Sequence, residues 1–224
     1  MDQLHRWNVT PKEAVQIQRE LKDKVKIQPL KKTVETVGGA DISFNKFSST
    51  IYVGIVVLSL PDLKEVSRST LVTQAQFPYV PGLLSFRETP PLLEAWGNLA
   101  VKPDVLTMDG HGLAHPRRFG VACHFGLLTN TPALGCGKSR LIGQHEEPAP
   151  ERGATADLVH KGEKIGVVLR TKNKVNPVFV SPGHLLSFED SVDIVLKSDG
   201  KYRIPETTRQ AHLLVNELRK QDMD

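Results

Sequence analysis

Cysteine is nearly absent from this chain of 224 residues: only Cys123 and Cys136 occur, in no spacing that would make a metal-binding pair. A disulfide scaffold is thereby disfavoured, and a reducing, cytoplasmic setting is the simpler expectation. Long apolar runs are lacking too. The longest, Tyr52 to Leu60, is too short to span a bilayer as a helix, and MDQLHRWNVTPKEAV has no secretory apolar core. No membrane partner is expected, and no internal repeat or low-complexity tract is found. A further lack is local. From His111 to His145 there is no Asp or Glu, while Arg117, Arg118, Lys138 and Arg140 fall in that stretch. With a net charge of +4 and a pI near 9.0, the mildly basic balance is compatible with nucleic acid, and this segment would form a positive floor.

What is present fits one α/β domain over residues 1–224. Thr10 to Val25 reads as a helix: Thr10 caps it, Pro11 takes the first position, Glu13 closes a capping box, and Ala14, Ile17, Leu21 and Val25 repeat at helical spacing. Thr33–Phe44, Ile51–Leu60 and Leu63–Ala75 read as three strands with short links, hence an antiparallel meander. Gly38 and Gly39 mark a close backbone approach just before Asp41. Thr89-Pro90-Pro91 leads into a helix through Leu99, which puts Glu88 at its entrance.

Asp104–Asp109, a helix over Phe119–Leu128 and a strand from Pro132 form a strand–helix–strand unit, which implies a parallel pair. Residues His145–His160 read as an exposed loop. Ile165–Arg170 and Val178–Ser181 form a ribbon that is either a flap over the site or a plain hairpin. Ser187 caps a helix to Leu196, and Thr207 with Gln210 caps a last one whose apolar face is Ala211, Leu214, Val215 and Leu218. The chain end from Gln221 is expected to fray. A meander followed by parallel units makes a mixed central sheet flanked by helices, a layout that resembles the ribonuclease H-like fold.

The chemistry concentrates where the fourth strand ends, in Asp109-Gly110-His111-Gly112 and His115-Pro116-Arg117-Arg118. If the first and fourth strands are neighbours, Asp41 and Asp109 converge. Paired carboxylates repel, and a hard divalent cation such as Mg²⁺ or Mn²⁺ relieves them. Otherwise the two acids are solvent-facing strand ends. Glu88 is the third candidate, and His212, beside Arg209, is placed to look onto an anionic site. Gly135-Cys136-Gly137-Lys138-Ser139-Arg140 imitates a phosphate loop, but Pro132 stands where its first glycine belongs, so a nucleoside-triphosphatase is disfavoured. Pro78 and Pro81 stiffen the loop around Tyr79 and Val80. Tyr79 either projects as a probe or packs beneath the loop.

Taken together, Gly39-Ala40-Asp41, Phe77-Pro78-Tyr79-Val80-Pro81-Gly82-Leu83-Leu84-Ser85-Phe86-Arg87-Glu88, Asp109-Gly110-His111-Gly112 through Arg118, Gly137-Lys138 and Tyr202-Arg203-Ile204-Pro205-Glu206-Thr207-Thr208-Arg209 with His212 resemble the endonuclease V family. The resemblance runs from about Thr33 to Leu218. It implies a ribonuclease H-like fold and Mg²⁺-dependent hydrolysis, with Mn²⁺ able to substitute. The substrate it implies is DNA carrying deaminated bases, chiefly deoxyinosine. The cut would fall at the second phosphodiester 3′ to the lesion and leave 3′-hydroxyl and 5′-phosphate ends. Inosine-containing RNA stays open as a substrate, and a monomer is expected. By the same resemblance Asp41, Glu88 and Asp109 hold metal, Lys138 steadies charge at the scissile phosphate, and His212 orients or activates water. Pro78, Tyr79, Val80 and Pro81 form a strand-separating wedge, and Gly82, Leu84 and Gly110 line the base pocket. His115, Arg117 and Arg118 touch nucleic acid, although Arg118 could instead pair with a carboxylate of the protein. His111 has no assigned role. A catalytically silent binding protein would lack an acid of the set, and all three are present.

Overall fold

The computed structural model describes residues 4–45 and 48–222. Helix α1 spans Pro11–Leu21, and its Thr10–Glu13 capping box forms as the sequence predicts. It stops four residues short of Val25. Lys22–Lys24 bury nothing and tighten into a 3₁₀ turn, so no apolar face extends the helix. Strands β1 (Thr36–Phe44), β2 (Thr50–Ser59) and β3 (Glu65–Gln74) form the antiparallel meander. β1 begins later than expected because the Asp104 carboxylate takes the backbone N–H groups of Glu35 and Thr36.

Helix α2 spans Leu84–Gly97 and carries Pro90 and Pro91 inside it. This corrects the expected start after Thr89. The helix begins a turn and a half earlier, and Glu88 lies in its second turn rather than at its entrance. Burial of Ser85, Phe86, Thr89, Leu92, Ala95 and Trp96 along one side outweighs the two missing backbone donors. Strand β4 (Val105–Met108), helix α3 (Val121–Thr129) and strand β5 (Ala133–Gly137) form the predicted strand–helix–strand unit, with β4 and β5 parallel.

The last third of the sheet departs from expectation. Thr155–His160 is a strand, β6, within what reads as an exposed loop. A two-residue turn at Lys161–Gly162, both with positive φ, joins it to β7 (Glu163–Leu169). β8 (Val178–His184) pairs with β7 on one side and β5 on the other, so the ribbon is part of the sheet and not a flap. The order is β3-β2-β1-β4-β5-β8-β7-β6, an eight-stranded mixed sheet. It has the ribonuclease H-like arrangement.

Helices cover both faces. α4 (Phe188–Lys197, capped by Ser187) and α5 (Glu206–Gln221) pack Ile194, Val195 and Ala211 against Val37, Val56, Val105 and Leu134. On the other face α2 and α3 pack Leu92, Trp96, Ala122 and Phe125 against Val53, Ile55, Leu106 and Met108. α5 begins one residue before the predicted cap. Pro205 precedes it, Thr207 is buried with its hydroxyl unpartnered, and Gln210 donates to Glu206 instead. At the far end Asp222 accepts the Tyr52 hydroxyl at 2.7 Å; Met223 and Asp224 of the expected frayed end lie outside the described residues. Cys123 and Cys136 are free and buried, and burial pushes each thiol up to about 12. No helix among the described residues is long and apolar enough to cross a membrane.

Gly39 sets the contact of α5 with β1. A Cβ there would lie 2.1 Å from the Thr207 carbonyl oxygen. Gly39→Ala is expected to destabilise the protein by about 1–3 kcal/mol, the usual cost of overpacking. It should also shift α5, and His212 with it, away from β1. Urea unfolding measures the first effect, and the loss of cleavage activity in the folded fraction reports the second.

Candidate active site

Asp41 and Asp109 are brought together by strand register. β1 and β4 run parallel with Ala40 opposite Met108, so the next residue of each strand is a carboxylate at the same edge. Asp109 hangs on β1 through its own N–H to the Ala40 carbonyl (3.3 Å). His212, on the exposed side of α5, donates from Nδ1 to Asp41 Oδ2 at 2.8 Å. Ligand atoms of Asp41, Asp109 and His212 all lie within 4.8 Å of one another. Lys138, just past β5, is paired with the Asp109 carboxylate, and Arg203 donates to its backbone carbonyl.

The acids carry the electrostatic signature of a cation site. Burial first, and then the neighbouring Asp109 charge, raise the Asp41 pKa against the His212 and Ile42 hydrogen bonds that lower it. Glu88 is pushed up to about 8, by burial and then by the Asp41 and Asp109 charges. Glu88 is therefore electrostatically coupled to both aspartates, although the tight three-residue cluster consists of Asp41, Asp109 and His212. Oxygen donors with raised pKa values suit a hard divalent cation, and the Lys138 ammonium already neutralises part of the charge.

Beside the acids is a cavity of about 210 Å³ lined by Tyr79, Val80, Pro81, Gly82, Leu84, Ser85, Gly110 and His111, among others. It shares elements with the acid cluster: Gly110 follows Asp109, and Leu84 lies one turn before Glu88 on α2. Tyr79 is 64 % exposed at the cavity's edge, so of the two readings it projects. Gly82, at φ +76°, holds the turn into α2. Its carbonyl accepts from Gln18 Nε2 (3.1 Å), His115 Nε2 (3.1 Å) and Arg117 Nη2. Arg87 donates to the Phe77 carbonyl at 2.9 Å, so both ends of the proline-bracketed loop are pinned.

Two of the three residues expected at nucleic acid, His115 and Arg117, take part in this pinning. His115 is buried, and its pKa falls to about 4 by burial and then the Arg117 charge; it holds the loop as a neutral ring. Arg117 joins Gln18 and Gly82. Arg118, at φ +57°, pairs with Glu163 at 2.7 Å and with His160, which is the carboxylate alternative. Sequence reasoning missed Gln18, whose signal is a polar residue on the apolar stripe of α1. It also missed His5 and His124, whose ring nitrogens meet at 2.7 Å. His111 packs against β5 with both its parts: a Cβ on Gly135 would strike its backbone and one on Gly137 its imidazole, whose Nδ1 is buried without a partner.

The endonuclease V family model matches residues 19–213. The chain belongs to the endonuclease V family. It is 51 % identical over 223 residues to the endonuclease V of Myxococcus xanthus, covering 98 % of this chain and 94 % of that one. Among solved structures, the endonuclease V of Streptomyces avermitilis superposes with a TM-score of 0.93 at 38 % identity, covering 97 % of this chain and 96 % of that one. The endonuclease V of Ciona intestinalis, solved with a 24-mer DNA containing an inosine followed by a ribo-adenosine, gives a TM-score of 0.81 at 32 % identity. That match covers 94 % of this chain and 98 % of the Ciona chain. The family and the fold expected from the sequence are thereby shown: this is an endonuclease V-type nuclease chain.

Proposed function

We propose that this chain is a single catalytic domain that hydrolyses DNA at deaminated purines, chiefly deoxyinosine. It cuts the second phosphodiester 3′ to the lesion and leaves 3′-hydroxyl and 5′-phosphate ends. The observation that carries this reading is the joining of an acid cluster and a base-sized apolar cavity through two shared elements, the end of β4 and the start of α2. The inosine-containing DNA bound by the Ciona relative supports the substrate class.

Asp41, Asp109 and Glu88 would hold Mg²⁺, with Mn²⁺ a workable substitute. When bound, such a cation polarises the phosphate and lowers the pKa of water. The chain's own groups do the rest. Asp41 fixes the Nδ1–H tautomer of His212, so Nε2 keeps the lone pair that takes a proton from water. In the free protein the Asn216 amide rests on that nitrogen at 3.0 Å and is displaced as water arrives. Lys138, once released from Asp109, stabilises charge on the phosphate. Tyr79 on its stiff loop enters the duplex while the base turns into the cavity, and its stacking offsets the few kcal/mol, roughly, of flipping.

Tyr79→Ala should weaken binding to duplex inosine DNA by about tenfold, within the range of one base–aromatic stack. Binding to single-stranded inosine DNA should change less. Equal losses on both would remove the strand-opening role. The substrate assignment is tested by parallel cleavage of matched inosine-containing DNA, inosine-containing RNA and adenine controls with Mg²⁺. Inosine DNA is expected to be cut well above its control, and equal rates would sink the reading.

A further inference from the structure

A chain of hydrogen bonds runs from the N-terminal segment to the cavity. His5 Nδ1 lies 2.8 Å from the Arg6 carbonyl oxygen, His5 Nε2 lies 2.7 Å from His124 Nε2, and His124 Nδ1 lies 3.0 Å from Ser85 Oγ. His124 is wholly buried among the rings of Trp7, Phe86 and Phe119. Ser85, 3 % exposed, is among the residues that line the cavity. Burial lowers the pKa of both imidazoles, so each is neutral at physiological pH.

In neutral imidazoles each link determines the next, because one ring nitrogen donates and the other accepts. A carbonyl oxygen only accepts, so the His5 hydrogen is on Nδ1. His5 Nε2 is then a lone pair, and His124 must donate to it from Nε2. His124 Nδ1 is left as a lone pair, and the Ser85 hydroxyl must spend its single hydrogen there. What Ser85 Oγ has left is acceptor capacity only. The nearby Gly82 carbonyl, the other obvious acceptor, is already taken by Gln18, His115 and Arg117.

We propose that Ser85, fixed as an acceptor by His5 and His124, is a specificity-determining residue that reads an N–H on the edge of the purine in the cavity. Hypoxanthine presents N1–H to it. Adenine presents a lone pair at N1, which would face the serine lone pairs in a dry site. A site built around a hydrogen bond rejects the analogue that leaves its group unpaired. His5 and His124 are positioning residues, since they act on the base only through Ser85. The inference rests on the cavity being the pocket for a deaminated purine.

Two measurements test it. Nitrogen-15 NMR of the histidine rings in the free full-length protein should show the hydrogen on Nδ1 of His5 and on Nε2 of His124. The opposite tautomer of either ring overturns the proposal. Cleavage of matched inosine and adenine DNA then gives the ratio of kcat/KM. Ser85→Ala should reduce that ratio by about tenfold or more. His5→Gln, which keeps an acceptor where Nε2 stood, should hold it within about twofold, whereas His5→Lys, which offers only donors, should lower it as Ser85→Ala does. An unchanged ratio in Ser85→Ala, or equal losses on both substrates as a merely structural role would give, overturns the proposal. A wild-type protein that does not prefer inosine overturns instead the pocket reading beneath it, and is recognised by intact tautomers with no ratio to lose.

Discussion

Asp109→Ala is expected to lower inosine-dependent cleavage by about a thousandfold or more, which corresponds to roughly 4 kcal/mol of lost transition-state stabilisation. Asp41→Ala should do the same, because it removes both a carboxylate of the proposed cation site and the partner that hydrogen-bonds His212. The two residues act as a unit, so the double variant should be hardly worse than either single one. Stability should move the other way. Asp41 lies within β1 and Asp109 directly after β4, 11 % and 18 % exposed, in a cluster of like charge that raises the Asp41 pKa. Removing one relieves repulsion, so the metal-free variants should melt at the same temperature as the parent or above it. Loss of activity with unchanged or higher Tm separates a chemical role from a structural one. Full cleavage by both variants would contradict the site.

The second large effect concerns pH. Glu88 has its pKa raised from 4.5 to about 8, chiefly by burial and then by Asp41 and Asp109. A carboxyl raised on folding binds its proton more tightly in the native state than in the unfolded one. Its contribution to stability is complete below the unfolded value and is lost as pH rises through the folded one. The metal-free protein should therefore lose stability between pH 4.5 and about 8, and Glu88→Gln should flatten that slope. Cation binding has the opposite dependence, because the ligand must shed its proton first. Mg²⁺ affinity should rise by up to about tenfold per pH unit on approach to pH 8 and then level off. Thermal unfolding in chelator across this range checks the first statement. Calorimetric titration in buffers of different ionisation enthalpy, which counts the protons released, checks the second. A pH-independent affinity with no proton release would contradict it.

The parts of this protein legible in sequence are those with a local signal. Thr10, Pro11 and Glu13 declared the start of α1, and the apolar runs around Asp41 and before Asp109 declared strands that carry acids. Gly39 declared a close approach, and the approach is α5. The misread elements are those where packing overrides a local rule. Pro90 and Pro91 look like a helix beginning, yet α2 already has more than a turn behind it because its buried face continues through them. Thr207 has the chemistry of a cap, but burial of Ala211 and Val215 sets the α5 register and leaves that hydroxyl unpartnered. The β6 strand carries the polar alternation of a sheet edge, easily taken for a loop between Pro148 and the Lys161–Gly162 turn. Within the site, Gln18 meets Arg117 across 99 positions and His5 meets His124 across 119. Nothing near either residue in sequence announces such a partner; only the fold brings them together.

The central claim is that the acid cluster cuts the strand at a fixed distance from a base held in the neighbouring cavity. Its most direct test is product mapping on a duplex with one inosine, each strand labelled in turn, with Mg²⁺ present. The account predicts one cut, at the second phosphodiester 3′ to inosine, with 3′-hydroxyl and 5′-phosphate ends and none in the matched adenine duplex. Scattered cuts, or the same cuts at the same rate without inosine, would contradict it.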